Sequence, residues 1–149
     1  MGLRAVRLSI ASGVTVALVA TVAVGTASAG SPATTKCPSA ALVGAALGQK
    51  LKAPTSQAFP YAKICLYRGS GVVPTRVEFQ QDTAATFAAG KRNAAALGSV
   101  VNVRGIGKAA YGTKTGGFLA VFLGNESIRI TAPLIPLSKL EVLARKLAG

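Results

Sequence analysis

The chain has 149 residues, half of them hydrophobic, and sets 17 lysines and arginines against four acids and no histidine, for a net charge of +13. That length suits one domain. The absence of histidine and scarcity of carboxylates remove the usual general bases and the common zinc and calcium ligand sets. A charge of this size favours anionic partners, although basic residues scattered from Lys36 to Lys146 without a dense cluster also read as ordinary solvated surface.

Met1 to Arg7 is short and basic, Ile10 to Val24 is apolar, and Ala27-Ser28-Ala29 has the small-residue form of a signal-peptidase site. This order predicts a secretory signal peptide over 1–29. The apolar run is shorter than the ~20 residues a spanning helix needs, so no transmembrane segment is expected after cleavage. Residues preceding Cys37 lack the small apolar pattern of a lipidation site. Losing Arg4 and Arg7 lowers the net charge from +13 to +11. Residues 30–36 read as a flexible leader and 37–149 as a single domain.

Pro38 to Gly48 reads as a short helix with Pro38 in its first turn and Gly48 as its stop. Gln49 to Tyr61 holds two prolines and no clean period and is expected to be loop. Lys63 to Arg68 is a strand, bounded by the Gly69-Ser70-Gly71 turn. Either Cys65 and Tyr67 point inward together or Ile64 and Leu66 do, and a disulfide at Cys65 favours the first. Val72 to Gln81 is the next strand, with Val77 and Phe79 facing the core and Arg76 and Glu78 facing out. Asp82 to Leu97 is a helix with Asp82 as N-cap, Phe87 as anchor and Gly98 as stop; Gly90 in its middle costs ~1 kcal/mol relative to alanine.

Strand pieces at Val100–Val103 and Ala109–Tyr111 flank Gly105-Ile106-Gly107. Phe118–Leu123 and Ser127–Thr131 then flank Gly124-Asn125, a favoured hairpin pair. A last helix over Leu137–Leu147 has a capping-box pattern in Ser138 and Glu141, an apolar face of Leu140, Leu143, Ala144 and Leu147, and a Glu141–Arg145 pair. The order of elements predicts an α+β domain, an antiparallel sheet with helices packed on one face. Two cysteines in an exported chain predict a Cys37–Cys65 disulfide, which on the chain-entropy model stabilises by roughly 3–4 kcal/mol.

Three motifs carry less than they promise. Gly105-x-Gly107-x-x-Ala110 fits a dinucleotide fingerprint, yet a glycine turn and not a helix follows. Lys114-Thr115-Gly116 matches one element of serine β-lactamases, but the S-x-x-K nucleophile is missing. Asn125-Glu126-Ser127 fits a glycosylation acceptor inside a tight hairpin. A carboxylate pair could come only from Glu78 and Glu126. The aromatics are few and fall on predicted core faces, so no base-stacking platform, and no nucleic-acid partner, is expected. No catalytic residue, metal ligand or cofactor site is identified.

Cys37 ahead of a helix ending Ala46-Leu47-Gly48, Cys65-Leu66-Tyr67 in the first strand, Val103 to Ala110 after the second helix, then a hairpin and a terminal helix with Leu143-Ala144-Arg145 form a recognisable order. It resembles a family of small exported proteins and lipoproteins of actinobacteria classed as a domain of unknown function. The resemblance spans Cys37 to Ala148 and implies an exported α+β domain with a disulfide, often envelope-attached; it implies no active site.

The expected function is a secreted, non-enzymatic cell-envelope module that binds an anionic envelope polymer or an envelope protein. Lys50, Lys52, Lys108 and Lys114, on loops near glycine or proline, are the candidate contacts. The alternatives are a secreted inhibitor or effector of an envelope enzyme, and a small hydrolase with an unrecognisable site.

Overall fold

A computed structural model of the protein describes residues 36–71 and 73–149. The signal peptide expected over 1–29, and the leader up to residue 35, lie outside the described residues. The elements run α1 (Ala40–Leu47), β1 (Thr55–Phe59), β2 (Ala62–Tyr67), β3 (Thr75–Gln81), α2 (Ala84–Leu97), β4 (Val100–Val103), β5 (Ala109–Thr113), β6 (Phe118–Phe122), β7 (Glu126–Thr131) and α3 (Leu137–Ala148). Among the described residues no helix is long and apolar enough to cross a membrane.

The seven strands among the described residues form one antiparallel sheet in the order β1-β2-β3-β7-β6-β5-β4. Two hairpin-connected runs, β1 to β3 and β4 to β7, thus meet at the central β3–β7 pair. The α+β class and the Cys37–Cys65 disulfide are as the sequence predicts, with Cα atoms 5.8 Å apart. Cys65 and Tyr67 both point inward and are fully buried, which decides the parity of β2.

The first sheet face carries Cys65, Tyr67, Val77, Phe79, Leu119, Val121, Ile128 and Ile130, and packs against Val43 and Leu47 of α1 and Leu140, Leu143 and Ala144 of α3. Register partners share a face and strand neighbours alternate, so Tyr111, Ala120 and Phe122 belong to the opposite face. There Phe87 of α2 meets them, its ring centroid 5.1 Å from Tyr111 and 5.3 Å from Phe122. Helices α1 and α3 therefore share one face, as expected, while α2 lies across the other. The cause is local: β5 and β6 are apolar on both sides and need cover on both.

Caps explain the other differences. Ser39 caps α1, accepting from the Leu42 N–H at 3.2 Å, so Pro38 stands one residue outside the helix. Thr83 caps α2 in a reciprocal capping box with Thr86, leaving Asp82 free for another role. Pro136 occupies the N-cap of α3 and no side chain among the described residues caps that helix; Glu141 pairs instead with Arg145, at 3.1 Å. The stretch expected as loop contains β1, paired with β2 from Thr55↔Leu66 to Phe59↔Ala62.

The glycine motif resolves as a strand connection. Gly107 takes φ 57° as the chain turns from β4 into β5, and a Cβ there would sit 2.6 Å from the Phe122 carbonyl. No helix follows to hold a pyrophosphate. Lys114 to Gly116 forms the β5–β6 turn.

Candidate functional site

Because α2 runs from the end of β3 to the start of β4, it covers the β5–β6 half of the second face and leaves the β1–β2–β3 half open. That half is floored by Thr55, Gln57 and Phe59 of β1, Ile64 and Leu66 of β2, and Arg76, Glu78 and Gln80 of β3. Every residue of β1 is exposed, Phe59 to 48%, and Tyr61 in the turn that follows is exposed to 70%.

Where α2 leaves the sheet, Asp82 is buried at the centre of a polar network. Its carboxylate accepts from Ser127 Oγ at 2.9 Å, from the Thr83 N–H at 2.9 Å and from Thr86 Oγ1. Arg129 Nη2 lies 3.6 Å away. Both oxygens are engaged, and Ser127 is fully buried, so the pair fastens the α2 N-terminus to the β6–β7 hairpin. The Asp82 N–H donates to the Asn125 carbonyl at 3.0 Å, closing the same junction. Outside it lies a cleft of about 320 Å³ lined by Tyr61, Gln81, Asp82, Thr83, Thr86 and Asn125.

Two phenols are held neutral. Burial pushes Tyr67 up to about 12, and its hydroxyl donates to the Pro38 carbonyl at 2.7 Å. Burial also raises Tyr111 above the usual phenol value; Arg129 opposes the shift and Asp82 adds to it. The Tyr111 hydroxyl lies 3.2 Å from where a Cβ would stand at Gly90, which gives that helix glycine a packing reason.

The acids do not form a catalytic pair. Glu78 lies on the second face, 2.9 Å from Arg76 Nη2. Glu126 pairs in register with Gln81, three residues beyond Glu78, and so falls on the opposite face. Among the described residues no three cysteine, aspartate or glutamate side chains gather as metal ligands. Arg76 and Arg129 each retain a buried Nε–H with no hydrogen-bond partner among the described residues.

The four lysines singled out from sequence are all exposed but do not share one patch. Lys50 and Lys52 lie between α1 and β1, where the Lys52 N–H donates to the Arg68 carbonyl at 2.8 Å. Lys114 is at the same end of the sheet, four strand spacings from β2, or about 19 Å away. Lys108 is at the other end, its ammonium beside Gly124 in the β6–β7 turn. Lys50 and Lys52 thus belong together with Arg68, a residue that sequence reading passed over. No family model, curated protein or solved structure matches the chain.

Proposed function

We propose that the mature chain is a secreted, non-catalytic binding module of the cell envelope whose basic surface takes an anionic partner. The observation that supports this most directly is where the acids go. Three of the four are held by arginines, as Arg76–Glu78, Arg129–Asp82 and Arg145–Glu141. Among the described residues no lysine is in an ion pair. Lys50, Lys52, Lys108 and Lys114 therefore project their charge into solvent, and the summed field attracts anions at range.

The same accounting supports a role without catalysis. Asp82, the most buried acid, spends both oxygens on fixing the α2 N-terminus, and Glu126, the acid that no arginine holds among the described residues, lies on the opposite sheet face from Glu78 and so does not pair with it.

Binding of mature, oxidised protein to polyglutamate and to phosphatidylglycerol vesicles, measured at low and high salt, tests the reading. Retention that falls steeply as salt rises is expected. Absence of binding at low salt, or turnover of an envelope substrate, would overturn it.

A further inference from the structure

The proposal below rests on the anionic-partner reading and names the partner's form. β1 is the outermost strand, five residues long and exposed throughout. Its hairpin closes at Phe59↔Ala62 across Pro60-Tyr61. The Tyr61 carbonyl accepts from Gln81 on the β3 side at 2.9 Å, so the odd-numbered residues of β2 turn their backbone groups to β3 and the even-numbered ones to β1. Thr55, Gln57 and Phe59 then bond to β2, and the N–H and C=O of Ser56 and Ala58 point off the sheet.

Exposed edges of this kind are ordinarily blunted by a charged side chain or a bulge. From Ala53 to Ala62 this chain has no charge at all, and Pro54 and Pro60 merely bracket the open window. The opposite edge, β4, is shorter, with α2 beside it and Lys91 donating to Asn102. Around the uncharged β1 edge stand Lys50, Lys52, Lys63 and Arg68, none of them ion-paired among the described residues. Lys63 is the register partner of Ala58 and shares its face; Phe59 lies on the other face with Gln57 and Thr55.

We infer that β1 accepts an extended segment of a partner protein as an eighth strand, and that this segment alternates acidic and apolar residues. Main-chain bonds to Ser56 and Ala58 hold it, and side-chain alternation selects it. Its apolar residues lie beside Phe59 and its acids on the Lys63 side, where an eighth strand stands two strand spacings from β2, about 9.6 Å in all and within reach of a lysine stem. Charge decides against a second copy of this chain, which would set +11 against +11 and bring a β1 with no acid.

Fluorescence anisotropy of a short blocked peptide alternating valine and glutamate, beside its valine–lysine counterpart, provides the test. Ser56→Pro and Ala58→Pro each remove one outward N–H and leave the β1–β2 ladder intact, which the thermal melt verifies. The acidic peptide is expected to bind, the basic one not. Each proline variant should weaken binding about tenfold, as the loss of one good main-chain bond implies. Lys52→Glu and Lys63→Glu should weaken it severalfold and flatten its salt dependence. Equal binding to wild type and both proline variants would overturn the edge proposal while leaving the anionic-partner reading standing. No binding of either this peptide or polyglutamate at low salt would overturn both. A dimer in sedimentation that Ser56→Pro abolishes would assign the edge to a second copy and refute the proposal.

Discussion

Tyr67→Phe should destabilise the protein at neutral pH and protect it at high pH. Tyr67 is fully buried, and its hydroxyl donates to the Pro38 carbonyl, tying β2 to the segment that carries Cys37. Removing the hydroxyl leaves that carbonyl short of a partner, at a cost of about 1–2 kcal/mol. The phenol's value rises from 10.0 to about 12 on folding because burial disfavours the phenolate. The neutral form is thus the one the fold prefers. Its contribution is complete below pH 10, where the unfolded phenol is also protonated, and is lost as pH rises through about 12. A shift of this size corresponds to a loss on the order of 2–3 kcal/mol across that window. Phenylalanine has no such loss. The wild-type advantage should therefore shrink above pH 10 and vanish or reverse near pH 12. Urea unfolding of both oxidised proteins at a series of pH values reads the difference directly and cancels every other titrating group. A difference that stays constant across the window would refute a buried, neutral Tyr67.

Three further changes probe the scaffold. Cys37→Ser, or reduction of the disulfide, should cost roughly 3–4 kcal/mol in urea unfolding, since it frees a loop of sequence separation 28. Phe87→Ala should cost about 3–5 kcal/mol, and because Phe87 is the one buried residue of α2, hydrogen exchange should show the loss concentrated in that helix with β2 and β3 still protected. Asp82→Asn replaces an oxygen that accepts with a nitrogen that donates. At least one of the donors from Ser127, Thr83 and Thr86 then goes unpaired, and a loss of about 1–3 kcal/mol is expected in the same unfolding assay.

The parts of the fold that could be read from sequence are those where one side of an element is apolar and the other is not. Val77 and Phe79 alternate with Arg76 and Glu78, and β3 lies as that alternation requires. Leu140, Leu143 and Ala144 mark the buried face of α3. The placement of α2 was also written, but as a composition and not a period: Phe118 to Phe122 is an unbroken apolar run, the mark of a strand covered on both faces. Read so, it requires a helix on the second face. Asp82 misled for a related reason. Aspartate ahead of a helix fits a cap by local rules, but Thr83 has the same competence, and only the β6–β7 hairpin, 45 residues on, brings Ser127 to the carboxylate.

β1 is hard to read from sequence because nothing among the described residues buries it. An edge strand with both faces in water has no alternation to show, and prolines at each end imitate a loop. The property that hides β1 in the sequence is also what makes it available to a partner: the backbone groups of Ser56 and Ala58 point off the sheet and its side chains carry no charge to repel an incoming strand. Lys50 and Lys52 share one loop, and the fold adds Arg68 and Lys63 to them through the Lys52–Arg68 backbone bond and the Ala58↔Lys63 register. Lys108 and Lys114 drop out of that group because sheet order, which no local pattern encodes, sets one at the far end and the other about 19 Å away. If charge alone governed binding, Lys108→Glu would weaken the acidic peptide as much as Lys52→Glu does. An edge-bound strand requires the two to differ, with Lys52→Glu the more damaging, and equal losses in the same anisotropy titration would return the interaction to the surface as a whole.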